Sequence, residues 1–445
     1  MKYKRFQKLV RLVKITLICG VVLLSSGCIR NRFECKSGNL KRTPADGSVD
    51  ESGDHLPTLR SPETKKSDQP DSTAPTGDKK NTPPPTSKNT TSTSSQPLWT
   101  LGYYVGSQST QYPPKKVNFE ALTHLAVGAI LPNEDGSLNT NLNQAAESDG
   151  ANLIDQLVSL AHEKNVKALA MLGGKGSREA LLSATSPVTL RRFVAELVTY
   201  TRDVHQMDGL DLAWEPFEVE DHAQFEELID ALRFEWPDVI LTFPIRPLNA
   251  NYQKADSFIA KIAPKLDQIN IMSYAMATAF SGSDWDSWHS SALKGERKST
   301  PMSVSENVDL YVESGVPAAK IGLGIGFFGI CYSAPVTGPG QALRGSKIIA
   351  SGENLSYAKI MRDYLPYAKY SYDDVADVPY LMLDPAINGC TYISFENERS
   401  IKSKAKYARE MRLGGAIIWT INQGYLADAA DGKRDPLMKT IQEQF

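Results

Sequence analysis

Residues 208–215 read Asp-Gly-Leu-Asp-Leu-Ala-Trp-Glu, a short apolar strand with acids at chosen positions. On a strand alternate side chains share a face, so Asp211, Ala213 and Glu215 point one way and Leu210, Leu212 and Trp214 the other. In a parallel barrel wrapped by helices, the apolar set packs outward and the other set faces the barrel axis. Glu215 then stands at the C-terminal end of its strand, where such barrels carry their chemistry.

Seven further apolar runs share the strand pattern: residues 99–104, 125–130, 168–172, 240–243, 268–273, 321–325 and 416–419. Amphipathic stretches at 152–163, 189–205, 223–235 and 401–412 lie between them. Strands alternating with helices predict an α/β fold with a parallel sheet, and eight strands are the count that closes a (β/α)8 barrel. A doubly wound open sheet is the rival, weakened because no Gly-rich phosphate turn follows the first strand. The connection from the seventh strand to the helix near Ile401 is too long for a barrel loop. It contains strand-like pieces at 367–372, 380–383 and 391–395, so a small α+β insertion is expected over about 328–397.

Several motifs in the body occur in the order found in family 18 of the glycoside hydrolases, the chitinase family, which the chain resembles over roughly 99–443. Residues 208–215 resemble that family's Asp-x-x-Asp-x-Asp-x-Glu signature, with Ala213 where the family has aspartate. Leu101-Gly-Tyr-Tyr104 resembles the first strand and Thr123-His-Leu125 the opening of the second. Ala170-Met-Leu-Gly-Gly174 is similar to the third, and Asn270-Ile-Met-Ser-Tyr274 to the Met-x-Tyr-Asp sixth, with Ala275 replacing aspartate. Residues 320–329 resemble the seventh strand, 392–401 the strand and turn closing the insertion, and 414–419 the eighth strand.

The resemblance implies a hydrolase in which the substrate's own 2-acetamido group attacks the anomeric carbon and one protonated glutamate is the acid. Glu215 falls on that position, with Asp211 and Tyr274 as its catalytic partners. Tyr103, Met272, Trp285, Asp208 and Trp419 are the expected substrate contacts. Trp419 would floor the sugar with its aromatic face, with plain core packing as the competing role. Trp285, Trp288 and His289 occupy a polar loop after the sixth strand, where barrels carry binding residues. Asp208 and Asp211 have a second reading, as buried acids that hold loops in place. Arg246 has two readings, surface ion pair or substrate contact, and Asn422 and Gln423 are further candidate sugar contacts. The expected ligand is a glycan of β-linked N-acetylglucosamine, chitin or peptidoglycan-like. Two alternatives stay open: a chitinase-like glycan-binding protein without catalysis, because such lectins carry the same alanine, and a protein-contact scaffold.

The whole chain has 49 Lys+Arg against 51 Asp+Glu, so nothing points to nucleic acid. No His/Cys/Asp cluster has metal-ligand spacing, and neither metal nor cofactor is expected. Residues 1–27 read as a signal: basic residues through Lys14, an apolar run at 15–24, then Ser25-Ser-Gly27 before Cys28. The ending resembles a bacterial lipoprotein signal with Cys28 as the lipidated residue, which implies an exported, membrane-anchored envelope protein. An uncleaved anchor is the alternative, although the run is short of the roughly 20 residues that span comfortably. Residues 28–97 are rich in Pro, Ser and Thr and poor in anything that could build a core, so they read as a disordered tether before a barrel domain at 98–445. Cys331 and Cys390 either pair or stay as buried thiols.

Overall fold

The computed structural model describes residues 97–142, 147–249, 252–279 and 284–445. The expected signal, Cys28 and all but the last residue of the expected tether lie outside the described residues. Fourteen strands run in chain order: β1 Trp99–Val105, β2 His124–Pro132, β3 Leu138–Asn139, β4 Lys167–Lys175, β5 Gly209–Glu215, β6 Ile240–Ile245, β7 Gln268–Ile271, β8 Ile321–Gly326, β9 Phe328–Tyr332, β10 Ile348–Ser356, β11 Lys369–Asp373, β12 Val378–Ile387, β13 Cys390–Ser394 and β14 Gly415–Trp419.

Eight of these pair in the order β1-β14-β8-β7-β6-β5-β4-β2, and β1 also pairs with β2, so the ring closes. Every pairing within the ring is parallel. This is a (β/α)8 barrel. The two faces of β5 divide as its alternation requires. Leu210, Leu212 and Trp214 join the large outer cluster with Phe225, Leu228 and Leu232 of helix His222–Glu235. Trp214 meets Phe225 edge-on at 5.8 Å, and truncating an aromatic buried in this way costs about 3–5 kcal/mol. Ala213 instead joins a small inner cluster of Leu101, Tyr103, Ala126, Leu169, Met171 and Ile417. Gly209 opens the strand because β6 passes so close: a Cβ there would lie 2.1 Å from the Ile240 carbonyl oxygen.

The helical stretch expected over 189–205 is one α-helix, Leu190–Val198, followed by a wider π-type turn, Thr199–Val204. At this join the Thr201 hydroxyl donates back to the Leu197 carbonyl at 2.7 Å, a bond that competes with regular helix. The insertion follows β8 and forms an antiparallel five-stranded sheet in the order β10-β9-β13-β12-β11. Helix Tyr357–Asp363 completes its α+β character. Cys331 of β9 and Cys390 of β13 are joined by a disulfide, with 5.6 Å between their Cα atoms. Among the described residues no helix is long and apolar enough to cross a membrane.

Candidate active site

Glu215 is the last residue of β5 and faces Lys175, the last residue of β4, in the ladder between them. It lines a cavity of about 870 Å³ that opens over one half of the barrel mouth. Met272, Tyr274, Ala275, Arg246 and Phe328 line the same cavity. Burial pushes the Glu215 carboxyl above its usual range, and the Lys175 ammonium draws it partly back. A carboxyl whose pKa is raised at a strand end is suited to donating a proton.

Asp211 lies deeper on the same strand and is fully buried. Its Oδ1 accepts from Thr242 Oγ1 at 2.5 Å and from the Tyr103 hydroxyl at 3.1 Å. Desolvation pushes its pKa up to about 7, against the lowering effect of those two donors, with a further push from the Glu215 charge. Its second oxygen, Oδ2, is buried without a hydrogen-bond partner. Ala213, one turn of the pleat above, offers only a methyl group to the space between Asp211 and Glu215.

Tyr274 follows β7 and packs edge-on against Phe328 at 5.7 Å. Burial holds its hydroxyl protonated far above the ordinary tyrosine range, reinforced by the charges of Glu215 and Asp211. Tyr103 and Trp419 pair inside the ring with centroids 5.2 Å apart. β14, which carries Trp419, lies four strands round from β5 in either direction, so Trp419 and Glu215 rise from opposite walls. The inner face therefore gathers Glu215, Asp211, Tyr274, Tyr103, Met272 and Trp419 around one axis.

Two expected substrate contacts lie outside the inner face of the ring. Asp208 precedes β5, at the opposite end of a strand roughly 23 Å long, counted at 3.3 Å per residue. Its carboxylate accepts from Lys167 Nζ at 2.8 Å and the Ala168 N–H at 2.9 Å, with His162 Nε2 2.8 Å away. These donors hold its pKa low against partial burial. Asp208 therefore lies at the N-terminal end of β5 and is not among the residues lining the cavity that holds Glu215. Trp285 is half-buried against a cluster that includes Ile330, Tyr332 and Tyr392 of the insertion, and it is not among the residues lining the cavity.

The neighbours of Trp285 are buried more deeply than it is. Trp288 is buried with Ala292, Ala376 and Val378. His289 sits between Asp373 at 3.1 Å and the Tyr392 hydroxyl at 3.0 Å. The polar loop around these aromatics is covered by the insertion, which is why its exposure was misread. Arg246 pairs with Glu218 at 3.4 Å and lies 3.9 Å over the Tyr252 ring while lining the cavity. Asn422 and Gln423 are buried against Gln108 beneath the rim. Lys175 was missed by the sequence reading, although its place at the end of the Gly173-Gly174 strand could have found it. Among the described residues no group of three His, Cys, Asp or Glu could hold a metal ion.

An acid at a strand end, with a tyrosine lining the same cavity, gives this barrel a candidate site for acid catalysis. Residues 100–424 match the model of the glycosyl hydrolases family 18, and the chain belongs to that family. It is similar to putative chitinase 1 of Margaritifera margaritifera, 28% identical over 365 residues that cover 74% of this chain and 71% of that protein. It is also similar to chitinase-3-like protein 2 of Homo sapiens, 27% identical over 305 residues, 61% of this chain and 73% of that protein. Among solved structures, the Group IV chitinase of Ostrinia furnacalis in complex with allosamidin shares the fold. Its TM-score is 0.65 at 22% identity, covering 78% of this chain and 98% of that one.

Proposed function

We propose that the protein is a glycoside hydrolase acting on chitin-like glycans of β-linked N-acetylglucosamine, with its rate reduced by Ala213. The observation that carries this reading is the half-buried Glu215, its pKa raised by burial, sharing one cavity with Tyr274. Glu215 gives its proton to the glycosidic oxygen as the bond to the anomeric carbon breaks. The substrate's acetamide oxygen bonds to that carbon in its place, steadied by the Tyr274 hydroxyl. Water then attacks the same carbon, returns a proton to Glu215 and reopens the acetamide. Asp211 supports the glutamate from below, and Tyr103 and Thr242 hold Asp211 in place. In the family pattern an aspartate at 213 orients the acetamide; a lost charge-assisted hydrogen bond of about 1.5–3 kcal/mol lowers the rate roughly ten- to a hundred-fold.

Ala213, Ala275 and the unpaired Asp211 oxygen favour a second reading, a glycan-binding protein that keeps the groove without the chemistry. Prolonged incubation of the full chain with defined chito-oligosaccharides and muropeptides, following cleavage and binding together, separates the two. Cleavage abolished by Glu215→Gln supports the enzyme; binding with no cleavage by the parent supports the binding protein.

The same proposal includes export and a lipid anchor at Cys28, supported by the basic and apolar leader and by the disulfide, which suits an oxidising compartment. Membrane partitioning that is lost in Cys28→Ala supports the anchor, and unchanged retention of Cys28→Ala rejects it.

A further inference from the structure

The backbone around Tyr274 turns sharply. Ala275, beside it, has φ of 51°, the left-handed region, which costs a residue with a Cβ about 1–2 kcal/mol. Such a conformation persists only where its surroundings hold it. Two adjacent serines do so. Before the tyrosine, the Ser273 carbonyl accepts from the Ser291 hydroxyl. After it, the Ala275 N–H donates to Ser290 Oγ at 3.1 Å and the Met276 N–H to the Ser290 carbonyl at 2.9 Å. The Ser273 hydroxyl also accepts from the Gly324 N–H of β8 at 2.8 Å.

Neither serine depends on its own loop alone. The Ser290 N–H donates to Ser394 Oγ at the end of β13, at 3.0 Å. Ser291 Oγ accepts from Lys404 Nζ at 2.6 Å. Lys404 belongs to helix Glu398–Glu410 and is completely buried, with buried Glu396 as its counter-ion. The other oxygen of Glu396 accepts from Ser400 Oγ at 2.6 Å. An ammonium only donates, so Ser291 must accept from it, and the single serine proton is left for the Ser273 carbonyl. The direction of the relay is therefore set by the lysine.

We propose that Lys404 is a positioning residue of the active site: through Ser291 it fixes the Ser273–Tyr274 peptide and thereby the place of the Tyr274 hydroxyl over the cavity. This rests on the glycan-site reading given above. A buried ion pair is a poor device for stability alone, since an apolar pair of similar volume often does as well or better. A fixed donor aimed at one hydroxyl supplies something an apolar pair lacks, a single orientation.

The test uses the full chain. Lys404→Ala strands a buried carboxylate and unfolds the helix contact, so two other variants are compared: Ser291→Ala, which leaves the ion pair, and the double variant Lys404→Met/Glu396→Leu, which leaves no charge. Each is made in the parent and in Tyr274→Phe, with thermal unfolding as the fold control. Affinity for tetra-N-acetylchitotetraose and its cleavage are expected to drop about tenfold in the parent background, as for one lost hydrogen bond, and to change little where Tyr274 is already phenylalanine. Equal losses in both backgrounds, or none in the parent, overturn the proposal. If the parent neither binds nor cleaves the oligosaccharide, the function reading has failed and fluorotyrosine NMR decides the positioning separately. The resonance missing from Tyr274→Phe is expected to shift or broaden in Ser291→Ala; an unchanged resonance overturns the proposal.

Discussion

Lys175 and Glu215 are the last partners in the ladder between β4 and β5, which sets an ammonium beside the candidate acid at the barrel mouth. Burial raises the Glu215 pKa and the lysine lowers it, so the working value is the difference of two effects. A general acid works protonated, and activity falls as pH rises through its pKa. Lys175→Met removes the lowering effect. The alkaline limb of kcat/KM against pH is therefore expected to move to higher pH; a limb that stays or moves down would show that Glu215 is not the titrating acid.

Ala213→Asp supplies the missing carboxyl between Asp211 and Glu215. Release of new reducing ends from chito-oligosaccharides is expected to rise roughly ten- to a hundred-fold, the rate equivalent of one charge-assisted hydrogen bond. Unchanged cleavage together with intact glycan binding would favour the binding-protein reading.

Asp211 gives the fold a pH dependence of its own. Its folded pKa of about 7 lies above that of an unfolded aspartate, about 3.9. The native state thus keeps a proton that the unfolded chain has released. Its contribution to stability declines as pH rises from about 4 to about 7 and levels off beyond. Asp211→Asn lacks this slope, so the fall in Tm between pH 4.5 and pH 7.5 is expected to be smaller than in the parent. An equal fall in both proteins would mean that the carboxyl is already ionised in the acid range.

Asp208 has the opposite sign. Its folded pKa is lowered, so the stability it lends is present at neutral pH and is lost as pH falls through the folded value. Asp208→Ala is expected to cost on the order of 1–3 kcal/mol at pH 7, less in acid, with oligosaccharide affinity unchanged. A change in affinity without a change in Tm would return Asp208 to the sugar site.

The barrel was legible because its signals are local. Eight apolar runs with helices between them need no distant partner to be recognised, and the alternation in 208–215 separates Trp214 from Ala213 residue by residue. The same rule reaches Glu215 and Asp211, while the family resemblance located Tyr274, Tyr103, Met272 and Trp419 on the inner face. Asp208 was misplaced because the octapeptide's acids were read together, although one precedes the strand and the others lie within it. Trp288 and His289 were misread for another reason: what covers them comes from β11, β12 and β13, far along the chain. β10 was missed because its sequence, Ile-Ile-Ala-Ser-Gly-Glu-Asn-Leu-Ser, breaks its apolar start with a polar Ser-Gly-Glu-Asn run and is only partly covered. The role of Ser290 and Ser291 was hidden by distance along the chain, since Lys404 lies 113 residues from Ser291.

The bond between Cys331 and Cys390 closes a covalent loop whose ends are 59 residues apart in sequence. β14, with Trp419, is thus connected to the rest of the ring by two routes: the peptide chain and the sulfur bridge. A protease that cuts anywhere between the cysteines leaves the wall opposite Glu215 covalently attached. Such a nick separates the two fragments only after a reductant has opened the bridge.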